Sequence, residues 1–117
     1  MSTQYLDNGT YQATVTVTAF RLLTISTTAS VTYTAANGKP DGVAVTDAAS
    51  GDYVAVRYIH ANGTQKGESA VSVIAIGDTL YSGALGTVST TGTQVIGKAL
   101  SASSATGTVV EFLANTL

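Results

Sequence analysis

Valine and threonine alternate along much of the chain, and this alternation is the main structural signal in the sequence. In residues 13–18 (ATVTVT), Val15 and Val17 fall on one face of an extended chain and the threonines fall on the other. Both residue types are stiff at χ1 and favour strands. The pattern predicts strands at residues 13–18, 21–26, 29–34, 42–46, 53–60, 70–76, 79–82, 87–90, 94–100 and 108–113.

Turn residues separate these predicted strands. Asn-Gly and Gly-Asp pairs supply the positive φ that tight turns require, and they occur at Asn37-Gly38, Asn62-Gly63 and Gly77-Asp78. Short strands that recur about every 8–12 residues, with turns between them, indicate an all-β fold. We therefore expect a compact antiparallel β-sandwich or small barrel. Residues 101–105 (SASSA) are the segment for which a short helical turn is an alternative.

One stretch of the sequence resembles another. Residues 42–56 read GVAVTDAASGDYVAV, and residues 97–112 read GKALSASSATGTVVEF. Both have the form Gly-x-Ala-aliphatic-hydroxyl, followed by small residues, a glycine and an alternating strand. The similarity predicts two equivalent hairpins, with the alanine packed closely from the opposite side. The alternative is chance similarity in a chain rich in Ala, Gly and Thr.

Length and composition limit the class of protein. A chain of 117 residues is one domain by the usual size range, and it can bury roughly two-thirds of its unfolded surface. We expect a flexible N-terminal arm at residues 1–11 and a single β domain at residues 12–117. Only 10% of residues are charged, and the net charge is −2. Because nucleic-acid binding calls for a basic surface, this composition argues against a nucleic-acid partner.

The sequence also argues against export, membrane insertion and disulfide chemistry. The chain has no cysteine, and no stretch approaches the roughly 20 apolar residues of a membrane span. The start, MSTQYLDNGTY, lacks the basic and apolar regions of a secretory signal. We expect synthesis in the cytoplasm and no membrane partner.

No group of residues has the pattern of an enzyme or a metal site. His60 is the single histidine, so a catalytic triad would depend on it, and its position at a predicted strand end indicates a solvated side chain. Asp41, Asp52 and Asp78 lie beside glycines in turns, where aspartate hydrogen-bonds nearby backbone. We expect no catalytic residue, no metal and no cofactor. Six tyrosines leave a sugar-stacking platform as an alternative to ordinary strand packing.

Three segments together resemble one known family. They are GVAVTDAASGDYVAVR (residues 42–57), GDTLYSGALGTV (77–88) and TGTQVIGKALSASSATGTVVEF (91–112). In order and spacing they are similar to the small capsid cement, or head decoration, proteins of tailed bacteriophages. Residues 15–25 also fit the early strand of that family. The chain departs from the family pattern at Ser103-Ser104, where an alanine pair is usual, and at the polar segment 60–69 (HANGTQKGES).

The resemblance implies a compact, often trimeric β domain on the outer surface of an icosahedral phage head, bound to the major capsid protein. It brings no catalytic residues. The alternative is a carbohydrate- or receptor-binding β module of a phage fibre or surface protein.

The N-terminal stretch is the segment that we expect to bind the capsid. It is polar and precedes the first alternating strand, and it offers a few apolar anchors. We expect it to add to a capsid strand edge by β-augmentation, with a frayed terminus as the alternative. The candidate capsid-binding residues are Ser2, Thr3, Gln4, Tyr5, Leu6 and Tyr11.

Overall fold

The computed structural model describes residues 8–59 and 63–114, and these residues form ten short strands with no α-helix. The all-β prediction is therefore confirmed. The strands are β1 (Asn8–Ala13), β2 (Leu22–Ile25), β3 (Ser30–Tyr33), β4 (Gly42–Ala44), β5 (Tyr53–Tyr58), β6 (Gln65–Glu68), β7 (Thr79–Ser82), β8 (Val88–Ser89), β9 (Val95–Ala99) and β10 (Val109–Ala114), with a 3₁₀ turn at Ala84–Gly86.

The first five strands close into a barrel in the order β1-β3-β2-β4-β5, with β5 pairing back to β1. All pairs in the barrel are antiparallel except β1 and β3, which run parallel and join through Ala13 and Val31. Along each strand alternate side chains point inward, and in β5 these are Val54 and Val56. They meet Leu23 and Val31 in the interior of the barrel.

The last five strands repeat the same arrangement. Their order is β6-β10-β9-β7-β8, or β8-β7-β9-β10-β6 from the other edge. If each strand is matched to the strand five places earlier in the chain, this becomes β3-β2-β4-β5-β1. That is the strand order of the barrel, opened between β1 and β3. The pairing of Leu80 with Gly97 corresponds to the pairing of Leu23 with Gly42. We call strands β1–β5 the barrel and strands β6–β10 the second sheet.

The two similar stretches of sequence occupy equivalent places in these two halves. Each forms a hairpin, β4–β5 in the barrel and β9–β10 in the second sheet. The connecting loop of the first hairpin is held by a bridge between Ala48 and Val17, and that of the second by a bridge between Ser103 and Ile74. The predicted pair of equivalent hairpins is confirmed, and residues 101–105 form no helical turn.

The glycine and alanine that open each hairpin have distinct packing roles. A Cβ on Gly97 would lie 2.2 Å from the carbonyl oxygen of Leu113, so only glycine permits this approach of β9 to β10. A Cβ on Gly42 would lie 2.7 Å from the carbonyl oxygen of Arg57. Ala44 and Ala99 are completely buried in the cores of their halves, which confirms the close packing expected from the sequence.

The two halves join through the outside of the barrel. Leu22 and Val43 pair across β2 and β4 but pack away from the barrel interior, in the cluster of the second sheet. There they join Phe112, which is fully buried. The counterparts of Leu22 and Val43 in the second sheet are Thr79 and Lys98, and both are exposed.

Two predicted strands are wrong, and they fail in the same way. Residues 13–18 and 70–76 alternate well, but in the structure Ala13 ends β1, and residues 14–18 and 70–76 are loops that follow β1 and β6. Within each loop a single residue, Val17 or Ile74, makes a bridge. The true strands, NGTYQA and QKGE, are polar and contain glycine. Val17 and Ile74 turn inward and are buried, so the apolar pattern reflects core packing from loops.

Candidate interaction surface

Only one of the candidate capsid-binding residues lies in the described part of the chain. Ser2, Thr3, Gln4, Tyr5 and Leu6 lie outside the described residues. Tyr11 lies in β1 opposite Val54 of β5. β1 begins at Asn8, so residues 8–11 of the predicted arm lie in a strand of the barrel. The polar sequence NGTYQA gives no alternating signal.

Tyr11 is held by a second tyrosine of the neighbouring strand. Its hydroxyl is hydrogen-bonded to the hydroxyl of Tyr58, and the two rings meet edge to face with centroids 6.2 Å apart. Gly9 makes room for this pair, because a Cβ there would collide with the Tyr58 hydroxyl. The hydrogen bond to Tyr58 and, next, burial raise the pKa of Tyr11. Tyr11 therefore links β1 to β5 through its side chain.

The N-terminal end of β1 lies at the junction of the two halves. Asn8 pairs with Arg57, and Arg57 lines a cavity of about 220 Å³ between the barrel and β6. Phe20, Val43 and Val45 form the barrel side of this cavity, and Gln65 and Lys66 form the β6 side. We call it the junction cavity.

Arg21 also joins the two halves at this junction. Its guanidinium lies 2.6 Å from the carboxylate of Glu68 in β6 and donates a hydrogen bond of 2.9 Å to the carbonyl oxygen of Leu85. It also lies 5.6 Å from the ring centroid of Tyr33, within the range of a cation–π contact. Both charged side chains are only 19% exposed, so Arg21 joins the barrel to the second sheet through a mostly buried contact.

The described tyrosines do not form a sugar-stacking platform. Tyr11 and Tyr58 use their hydroxyls on each other. Tyr33 donates to the carbonyl oxygen of Thr16 at 2.7 Å, which fixes the loop after β1. Tyr53 is 69% exposed, and among the described residues no ring stacks beside it. The tyrosines therefore serve mainly as packing groups with a hydroxyl at the rim.

Three aspartates, Asp41, Asp47 and Asp78, accept hydrogen bonds from backbone amides. Asp78 accepts a hydrogen bond of 2.8 Å from the amide of Ala75 in its own turn. Asp41 accepts from the amide of Ile25, and Asp47 from the amide of Ala19, so these two carboxylates connect separate segments. Across residues 8–59 and 63–114, no three acidic, histidine or cysteine side chains are grouped to hold a metal ion. His60 lies outside the described residues.

The surface is apolar at scattered points and carries little charge. More than half of the side-chain surface is exposed at Val73 and Ile76 in the loop before β7, at Leu85 in the 3₁₀ turn and at Leu113 on β10. Exposed apolar residues of this kind are usual on soluble proteins when they stand singly. None of the described helical segments has the length and hydropathy of a membrane span.

Comparison with known proteins found a similar solved structure. No family model matches the chain, and no curated protein matches it. Among solved structures, it is similar to the N base of the head fiber gp8.5 of bacteriophage phi29, with 28% sequence identity and a TM-score of 0.78. The match covers 92% of this chain and 92% of that chain, so it includes both the barrel and the second sheet. The chain thus resembles the base of a phage head fibre, a structural protein associated with the phage head.

Proposed function

We propose that this protein is a non-enzymatic structural component of a bacteriophage head, made in the host cytoplasm and bound to the major capsid protein on the outer surface of the virion. The observation that carries the proposal is the match to the phi29 head-fiber base along 92% of both chains. The three family-like sequence segments support it independently, and they lie in the elements that make up the two halves.

In its finer form, the proposal is that the protein is a capsid cement protein and acts as a homotrimer. A trimer that touches several capsid subunits makes its later contacts intramolecular, which raises avidity by about 10²–10⁴ without new chemistry. Bridging neighbouring subunits opposes their separation under internal pressure. Low surface charge supports this role, because few ions lose their hydration when the surfaces meet. The N-terminal residues add to a capsid strand edge as part of this contact.

Cosedimentation with phage heads that lack the protein tests the attachment. We expect the purified chain to pellet with such heads in a saturable amount. A chain that stays in the supernatant at every concentration would refute attachment to the head. Light scattering of the free protein measures the oligomeric state, and a mass of one chain would rule out the trimer.

A second candidate is that the protein serves as an attachment base without cementing the lattice. The match to a protein described as the base of a head fiber favours it. Thermal opening of decorated and undecorated heads separates the two roles, with release of packaged DNA followed by dye fluorescence. Cementing predicts opening at a higher temperature when the protein is bound. Equal opening temperatures, together with stoichiometric binding, favour the attachment base.

A further inference from the structure

We propose that the second sheet is a conditional half of the fold: it folds only against the barrel, and it opens from the barrel while the barrel stays intact. The two halves share one strand plan, but they contribute unequally to each other's cores. Proteins open in cooperative units of different stability, so a half that borrows part of its core from the other is expected to open first. The inference does not depend on the proposed function.

The core of the barrel is built from the barrel alone. All of its described buried members come from the first half of the chain, and they are Ala13, Val17, Leu23, Val31, Ala44, Val54 and Val56. The partly buried residues packed against them, such as Tyr33, belong to the same half. Because β5 pairs back to β1, these side chains lie inside a closed ring of five strands. This core therefore stays covered when the second sheet opens.

The core of the second sheet is incomplete without the barrel. Leu22 and Val43 of the barrel lie in it beside Phe112, and their side chains are 0% and 3% exposed. Ile59, just after β5, also packs against it. Leu22 and Val43 reach this core together because β2 and β4 pair at these two residues. Separation of the halves would therefore open the interior of the second sheet to water, whereas the barrel would lose only the cover of its outer face.

The backbone at the edge of the second sheet also relies on the barrel. Two residue pairs join β1 to β3, whereas a single described bridge, between Ser69 and Val88, joins the end of β6 to β8. The amide of Glu68, one residue before that bridge, donates a hydrogen bond of 2.9 Å to the carbonyl oxygen of Phe20 in the barrel. The edge of β6 thus takes from the barrel a hydrogen bond that β1 obtains from β3 within its own half.

The turn before β8 shows the same dependence. The amide of Gly86 donates a hydrogen bond of 3.0 Å to the carbonyl oxygen of Thr34, across the boundary between the halves. The equivalent amide in the barrel is that of Ala29, which donates to the carbonyl oxygen of Ser26 at 3.1 Å within its own turn. Backbone amides that lose their partner are costly unless water reaches them. The barrel closes this turn with its own atoms, and the second sheet closes it with an atom of the barrel.

Hydrogen exchange of the full chain, followed by NMR in low concentrations of urea, measures the opening of each half. The probes are the amides of Val54 and Val56 in β5 and of Val110 and Phe112 in β10, and all four residues are 0% exposed. Val56 and Phe112 hold equivalent positions in the two hairpins, as do Val54 and Val110. We expect the two amides of β10 to exchange about tenfold or more faster than those of β5, since the second sheet opens without the barrel.

Two adjacent leucines in β2 supply matched substitutions. Leu22 faces the core of the second sheet and Leu23 faces the barrel interior, and both are 0% exposed. Leu23→Ala should speed exchange of the barrel amides about 30-fold or more. It should speed the amides of the second sheet far less, because they exchange through an opening that leaves Leu23 buried. Leu22→Ala removes a contact that only the docked state makes, so it should speed all four amides by the same factor.

Three results would overturn the inference. Equal exchange rates at all four amides of the wild type would show that the halves open as one unit. Faster exchange in β5 than in β10 would make the barrel the dependent half. Equal acceleration of both halves by Leu23→Ala would show that the second sheet does not open separately. The wild-type measurement needs no substitution, so it decides between these cases even if a variant fails to fold.

Discussion

Ser69 lies beside Val88 in a parallel β-bridge that repeats, in the second sheet, the pairing of Ala13 with Val31 that joins β1 to β3 in the barrel. Individual backbone hydrogen bonds also recur at equivalent positions of the two halves. The amide of Gly51 donates to the carbonyl oxygen of Ala13 at 2.8 Å, and the amide of Gly107 donates to that of Ser69 at 2.9 Å. One five-stranded plan therefore occurs twice in the chain, and equivalent residues can be compared directly.

The first prediction uses equivalent turns with positive φ. Ala29 and Gly86 occupy the same turn in the two halves, with φ of 59° and 76°. A Cβ on Gly86 would lie 2.5 Å from the carbonyl oxygen of Leu22, so Gly86→Ala adds a collision to the backbone strain. We expect it to destabilise the fold by about 2–3 kcal/mol in urea unfolding.

Two matched changes serve as controls for that turn. Gly51 also has a positive φ, of 93°, but a Cβ there meets nothing within 4 Å. Gly51→Ala should therefore cost only the backbone strain, about 1 kcal/mol. Ala29→Gly should be neutral or slightly stabilising, because it relieves the same strain. Equal losses for Gly86→Ala and Gly51→Ala would show that the contact with Leu22 has no effect.

The second prediction concerns the ion pair of Arg21 with Glu68. Arg21→Leu removes the pair and the hydrogen bond to Leu85, and it leaves the Glu68 carboxylate mostly buried without its partner. We expect a loss of about 2 kcal/mol in the free energy of unfolding, or roughly 6–10 °C in melting temperature. Lys39→Leu, at an exposed position, should change it by less than about 0.5 kcal/mol. Recovery of most of the loss in the double variant Arg21→Leu, Glu68→Leu would identify the unpaired carboxylate as the cause.

The third prediction concerns alkaline pH. The pKa of Tyr11 is raised above its ordinary value of 10.0, so the folded protein holds this proton more tightly than the unfolded chain does. The resulting stabilisation is fully present below pH 10 and is lost as the pH rises through the raised pKa. Urea unfolding between pH 8 and pH 11 should show this loss in the wild type and a smaller one in Tyr11→Phe. Tyr53→Phe, at an exposed ring, should behave as the wild type does.

The fourth prediction separates the N-terminal residues from β1. Deleting residues 1–7 stops short of Asn8, the first residue of β1, and should leave the melting temperature nearly unchanged while weakening cosedimentation with heads. Deleting residues 1–11 also removes Tyr11 and most of the pairing with β5, so it should lower the melting temperature markedly. Full head binding by the shorter deletion would refute β-augmentation by this segment.

The fold class could be predicted from the sequence because short strands and glycine turns recur at regular intervals. The strands β7 and β5 were predicted closely, since their alternation coincides with their burial. β1 and β6 were missed because they depend on close approach: Gly67 in β6 faces Val88 and Phe112, where a side chain would collide. When a strand contains a glycine that makes room for side chains of other strands, its own sequence shows no alternating apolar pattern.

The junction cavity could not be predicted from the sequence either. It depends on Gln65 of β6 meeting Val43 of β4, residues far apart in the chain that come together only when the two halves dock. Gln65 carries no signal of its own in the polar segment QKGE. The similarity of the two hairpins was visible in the sequence, but the full repeat was not, because the equivalent loops differ in length by one residue.

Thr79 and Lys98 have a consequence for self-association. The barrel docks onto the second sheet through Leu22 and Val43, and a head-to-tail contact of this type can in principle continue indefinitely and form fibres. The second sheet carries a hydroxyl and an ammonium group at these two places, so it offers the next molecule no apolar surface of the same kind. The apolar contact that joins the barrel to the second sheet therefore has no counterpart at these two positions, and the stacking of one half on the next does not continue through them.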